Sequence, residues 1–174
     1  MNSIVLKKRG ETADLSKNSP IEAKLTWSTA VDLDLHAFFK TKEGICGHIF
    51  YDNRGNLYHP PCIQLDEDAG ADQQTGSKEE NITIKTLAHI ESVIIATNIY
   101  KGLFGFFSLG DSFAKYDGKV TVCTEIGHTI EVPLDSEEVG KWCVIAKIDN
   151  TDPTTPKLIN INKVQKTIPE VHDF

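Results

Sequence analysis

Ile21-Glu22-Ala23-Lys24-Leu25-Thr26-Trp27 alternates apolar and polar residues, and after Ser28-Thr29-Ala30 the chain continues as Val31-Asp32-Leu33-Asp34-Leu35-His36-Ala37-Phe38-Phe39. Successive side chains of an extended strand point to opposite faces, so a period of two buries one face and leaves the other to solvent. Both runs therefore read as strands. In the second, Leu33, Leu35, Ala37 and Phe39 make an apolar face, while Asp32, Asp34, His36 and Phe38 share a face that begins acidic.

Turn signals cut the rest of the chain into equally short pieces. Lys42-Glu43-Gly44, Asp52-Asn53-Arg54-Gly55-Asn56 and Pro60-Pro61 punctuate strands rather than long helices. Ile45 to Tyr51 reads as a strand, Leu57-Tyr58 as the start of a short one, and Ile82 to Leu87 resumes the alternation. Val93 to Tyr100 is rich in β-branched residues. Leu103 to Leu109 is apolar and aromatic, a strand or an irregular turn packed under the sheet. Asp117-Gly118 leads into Lys119 to Thr124, and Ile126-Gly127-His128 turns that strand into Thr129 to Pro133, the clearest hairpin. Lys141 to Ile148 and Leu158 to Ile161 complete the series, with the Pro153 and Pro156 turn between them.

About nine or ten short strands predict an all-β fold, a β-sandwich with Greek-key or jelly-roll-like connections. Helical turns are expected only at Ser136 to Gly140 and Leu87 to Ser92. The alternating positions predict a core of Leu25, Trp27, Leu33, Leu35, Phe39, Ile49, Ile82, Ile84, Val93, Ile95, Val120, Val122, Ile130, Val132, Val144, Ala146 and Ile148.

The 174 residues, 40% of them hydrophobic, match one domain spanning 1–174. Eighteen Lys and Arg against 25 Asp and Glu give a formal charge of −7, which opposes general nucleic-acid binding and offers no polybasic patch for a lipid surface. Lys7, Lys8 and Arg9 precede no apolar run long enough for a signal peptide, and no later stretch reaches the length of a membrane span. The expectation is a cytoplasmic protein without direct membrane insertion. Cys46, Cys62, Cys123 and Cys143 lie too far apart for a CxxC motif and read as reduced thiols.

The acidic residues are the strongest functional signal. An extended backbone puts Asp32 and Asp34 on one face, where their repulsion calls for solvent, donors or a cation. Asp66 to Glu80 reads as a polar loop long enough to need a functional explanation or disorder. Asp66, Glu67, Asp68, Asp72, Glu79 and Glu80 would supply many oxygen ligands, and calcium takes six to eight oxygens. Oxygen-rich composition favours calcium over zinc, although neither acidic cluster has the EF-hand spacing. A solvated sheet face and a solvated turn are the plain alternatives.

The same residues resemble the TerD-like tellurium-resistance and stress-response family. The resemblance runs in order from about residue 4 to 135. It includes Leu6 to Ser16 with Gly10 and Leu15-Ser16, then Trp27 with Val31-Asp32-Leu33-Asp34-Leu35-His36-Ala37-Phe38. Ile49-Phe50-Tyr51-Asp52-Asn53, His59, the acidic loop and Glu80-Asn81-Ile82-Thr83-Ile84 follow. It implies a calcium-binding β-sandwich of bacterial or phage-associated stress operons, without an established enzymatic reaction, working through protein partners of a stress-response assembly. On that resemblance Asp32 and Asp34 match the paired acidic positions, Asp66 the aspartate of a glycine-aspartate-asparagine segment, and Glu79 and Glu80 the end of the acidic run. With Asp68 they make the candidate calcium ligands. This chain departs from the family in its longer loop, in Ser77 and Lys78, and in Pro60-Pro61-Cys62-Ile63-Gln64, which reads as an insertion.

Three competing readings remain. Cys46 with His48, and His59 with Cys62, make a possible Cys2His2 zinc set without zinc-finger spacing. Catalysis would need His36 or His59 as base, Asp32 as orienter and Cys46 or Cys62 as nucleophile, and no local motif sets that geometry. A protein-interaction sandwich without calcium dependence would use Tyr100, Leu103, Phe104, Phe106 and Phe107 as an adhesive patch, unless they fill the core.

Overall fold

Alternation becomes strand pairing in the computed structural model, which describes residues 3–28, 31–66, 78–100, 112–124, 129–152 and 154–174. In chain order the strands are β1 (Ser3–Val5), β2 (Thr12–Asp14), β3 (Ile21–Trp27), β4 (Asp32–Thr41), β5 (Cys46–Ile49) and β6 (Ile63–Leu65). They continue as β7 (Lys78–Ile84), β8 (Ile90–Tyr100), β9 (Lys119–Thr124), β10 (Thr129–Pro133), β11 (Trp142–Asp149) and β12 (Lys157–Gln165). They form two six-stranded sheets, β1-β10-β9-β3-β7-β6 and β2-β12-β11-β8-β4-β5. The hairpins β4–β5, β6–β7, β9–β10 and β11–β12 stay within a sheet, and the other connections cross between sheets, as in Greek-key sandwiches. Neighbours are antiparallel apart from the parallel pair β1–β10.

The main core lies between the sheets, where Leu25, Ile82, Ile84, Val120 and Val122 of the first meet Leu33, Leu35, Val93, Ile95 and Ile148 of the second. Every residue in the expected core is buried. One lies elsewhere than the alternation implies. A register irregularity between Val144 and Ala146 places Ile145 and Ala146 together in the main core, and leaves Val144 in a second cluster on the outer face. A bulge inserts one residue and breaks the period of two.

Local departures follow from tertiary pairing. The segment read as an insertion contributes β6, an edge strand on β7, whereas Leu57 and Tyr58 are not in a strand. Ile90 to Ser92 already belong to β8, and 136–140 contains no helical turn; among the described residues the 3-10 turns are Phe113–Tyr116 and Val171–Asp173. Lys78 to Glu80, read as the end of a loop, pair with β3 in β7. Residues 103–109 lie outside the described residues. No helix among the described residues is long and apolar enough to cross a membrane.

Candidate functional site

The long strand β4 positions the site. Its inward residues Leu33 and Leu35 are fully buried, which turns Asp32, Asp34, His36 and Phe38 to the outer face of the second sheet. There Asp32 stands opposite Tyr100 and Asp34 opposite Asn98 on β8. Asp32, Asp34, Tyr51 and Tyr100 line an open cleft of about 180 Å³. Both tyrosines are at least half exposed. The two aspartates are thus brought together at one end of the sheet.

The other expected ligands are dispersed. Glu79 and Glu80 are neighbours on a strand and so take opposite faces. Glu79 is exposed and lies 3.5 Å from Lys24 on the outer face of the first sheet. Glu80 points between the sheets, 2% exposed, where its Oε2 accepts the Leu35 N–H at 2.6 Å. Lys78, in phase with Glu80, is also buried, its ammonium 6.0 Å from the Trp27 ring centroid. Asp66 accepts from the Asn81 main-chain N–H at 3.0 Å and from Asn81 Nδ2 at 2.6 Å. Asn81 Oδ1 is enclosed without a hydrogen-bond partner among the described residues. Glu67, Asp68 and Asp72 lie outside them.

Among the described residues no group of three or more His, Cys, Asp or Glu side chains is disposed to hold a metal ion. This applies to Cys46, His48, His59 and Cys62, all of which are described. Cys46 and His59 are exposed while Cys62 is buried. The donors that Asp32 and Asp34 present are nonetheless the hard oxygens calcium prefers, and they form part of a shell of six to eight. They fit a hard cation if waters or further oxygens complete it.

Next to the acidic pair is a network that the sequence reading did not assemble. His36, 3% exposed, has Nε2 at 2.7 Å from Asn98 Oδ1 and Nδ1 at 2.9 Å from His48 Nε2. Burial lowers His36 from 6.5 to about 4, helped by the neighbouring His48 and opposed by the Asn98 hydrogen bond. His48 is likewise lowered to about 4 by burial. The available signal was the turn at Lys42-Glu43-Gly44, which sets β4 against β5 and pairs Phe38 with His48. What hid it was Asn98, whose approach depends on β8 joining the other edge of β4.

With two such sheets, this is a protein with the fold of TerD-like, tellurium-resistance-related structures. One of them is a homologue of telluride resistance protein (TerD), SCO6318 from Streptomyces coelicolor A3(2). It is 13% identical with a TM-score of 0.60, over 87% of this chain and 92% of that one. The protein of unknown function SAV2460 is 14% identical with a TM-score of 0.60, over 86% of this chain and 94% of that one. Identities this low speak to fold. No family model and no curated protein sequence matches the chain.

Proposed function

We propose that this protein is a non-enzymatic calcium-binding β-sandwich of the TerD-like kind, acting in the cytoplasm through protein partners of a stress-response assembly. The observation that carries the reading is the Asp32–Asp34 pair, set side by side and half-buried on the outer face of β4 and lining an open cleft. A hard cation there would offset the repulsion between the two carboxylates. Asp32 and Asp34 would hold it, with the tyrosine-lined rim left accessible to a partner. Asp66, Glu79 and Glu80 have other interactions, so the reading narrows to the β4 pair and whatever oxygens join it.

Metal-stripped protein is titrated calorimetrically with calcium, magnesium and zinc, and thermal unfolding is followed in parallel. Calcium at about a hundred times its Kd should stabilise the native state by about 2.7 kcal/mol, with magnesium weaker because its octahedron is less forgiving. Asp32→Asn/Asp34→Asn should abolish the response while remaining folded. No calcium heat and no stabilisation, or an unchanged response in that variant, would overturn the cation reading and favour an interaction sandwich that uses the exposed Tyr51 and Tyr100 alone.

A further inference from the structure

Beyond the acidic end of β4, the outer face of the second sheet carries its own apolar cluster. Phe38, Ile94, Ala96, Trp142 and Val144 form it, and Val171 of the terminal 3-10 turn is buried within it at 6% exposure. The turn packs against β4 and β8. The end of the segment is tied down by Lys147 Nζ, which donates to the Phe174 main-chain oxygen at 2.9 Å, and by Lys163, whose ammonium is 4.7 Å from the Phe174 ring centroid. Residues 166–168, which lead into it, are exposed. Pro169 and Val171 are buried, and Phe174 packs partly buried against the same cluster; a short segment held this way outside the strand ladders opens at lower cost than the sheets beneath it.

His48 stands at the margin of this cluster. Its ring is stacked between Phe38, with centroids 4.0 Å apart and planes at 12°, and Phe50, at 4.4 Å and 17°. Asn98 Oδ1 accepts from His36 Nε2–H, so the neutral His36 must accept at Nδ1, and His48 must donate from Nε2. The lone pair of His48 is therefore on Nδ1, where an added proton leaves the hydrogen-bond chain intact.

We propose that residues 166–174 form a strap over the apolar groove of the second sheet, and that placing a positive charge on His48 opens it. A charged imidazole packed between two phenyl rings has lost much of its water, and it regains that water by swinging out of the stack. Phe38 then loses its neighbour on the β5 side, and Val171 loses a firm wall of its pocket. Attraction of the cation to the ring faces acts the other way. Burial, which lowers His48 from 6.5 to about 4, favours the swing out of the stack.

The sign follows from that lowering. The closed form disfavours the proton relative to a hydrated ring, so closure is fully supported above about pH 6.5 and weakens as pH falls toward about 4. His48 is only half-buried and reaches the strap through Phe38, so the expected change in opening is on the order of tenfold.

Other charges face the same region. On β4 His36 adjoins His48, with Asp34 and Lys40 farther along; Lys40 is held by Glu91 of β8 at 2.7 Å. Cys46 lies in phase with His48 on β5, and Tyr51 meets Phe50 edge-on. β11 brings Lys147 and Asp149, 3.6 Å apart, and β12 brings Lys163. The strap carries Asp173 and the Glu170–His172 pair at 2.7 Å, the rival trigger. Neither His48 nor the strap lines the acidic cleft, and the test is run without added divalent cation, so its outcome does not turn on whether the cleft binds one.

The test follows amide exchange across 170–174 on the full chain between about pH 7 and pH 4, corrected for its intrinsic pH dependence, with circular dichroism reporting the sheets. Opening should rise on the order of tenfold while the sheets persist, and the rise should level off at the pH where His48, followed by NMR, titrates. His48→Phe, which keeps the stack and removes the titration, should flatten the response, with His48→Leu as a second non-titrating variant. His172→Gln should leave the response in place, and Val171→Asp should show the open strap at every pH. Exchange that changes only with global unfolding would overturn the proposal, as would a rise that ends away from the pH at which His48 titrates. Loss of the response in His172→Gln would overturn it too, by moving the trigger onto the strap.

Discussion

Thr97→Val should make the protein more stable. Thr97 lies on β8, between β4 and β11, opposite Leu35 and Cys143. It is fully buried, in phase with the core residues Val93, Ile95 and Ile99, and its hydroxyl has no hydrogen-bond partner among the described residues. Folding therefore strips water from a hydroxyl and returns nothing, a cost of about 1–3 kcal/mol. Valine has nearly the same shape, keeps the β-branch that suits a strand and replaces the hydroxyl with a methyl. A gain of about 1.5 kcal/mol would raise Tm by about 3–6 °C for a chain of this size. Thr97→Ser keeps the hydroxyl and removes the methyl, so it should lose about 1 kcal/mol instead. Urea unfolding and calorimetry should rank Val above Thr above Ser. Equal or lower stability for Thr97→Val, at unchanged denaturant slope, would refute the claim that this hydroxyl is unsatisfied.

Gly55→Ala should destabilise the edge of the first sheet by about 2 kcal/mol or more. The residue has φ +74°, and an added Cβ would run into the Ile63 main-chain oxygen and approach Ile49 Cδ1 at 2.9 Å; a urea midpoint equal to that of the parent would contradict this. Thiol alkylation under native conditions should separate the exposed Cys46 from Cys143, which is fully buried with its thiol pushed up by burial. Mass spectrometry should find Cys46 modified first and Cys143 only on unfolding, and equal rates would show that the interior opens readily.

Alternation in 21–27 and 32–39 was sufficient for the strands, their buried faces and the shared orientation of Asp32 and Asp34, because those properties depend only on the two-residue repeat of an extended backbone. The hairpin of Lys119 to Thr124 with Thr129 to Pro133 was equally legible, since its signals are local, and Val122 does stand opposite Ile130. Irregularities were harder to see. Nothing in Trp142 to Ile148 marks the bulge that turns Val144 outward, and β6 is a strand because β7 offers an edge to Ile63 and Leu65, even though prolines precede them.

The acidic cluster divides along the same line. Composition could show that Asp66 and Glu80 exist beside Asp32 and Asp34 in a chain able to fold back, but proximity in sequence does not specify direction. Pairing of β7 with β3 sends Glu79 to Lys24 and Glu80 to the Leu35 amide, while Asn81 takes both oxygens of Asp66. His36, His48 and Asn98 come from three strands whose order in the sheet is not written in any one of them, and Val171 reaches Phe38 across 133 positions (171 − 38) of chain. Periodicity acts over a few residues and settles which side of a strand a group occupies. Which groups then meet depends on sheet order and register, which are set by burial of the whole core at once.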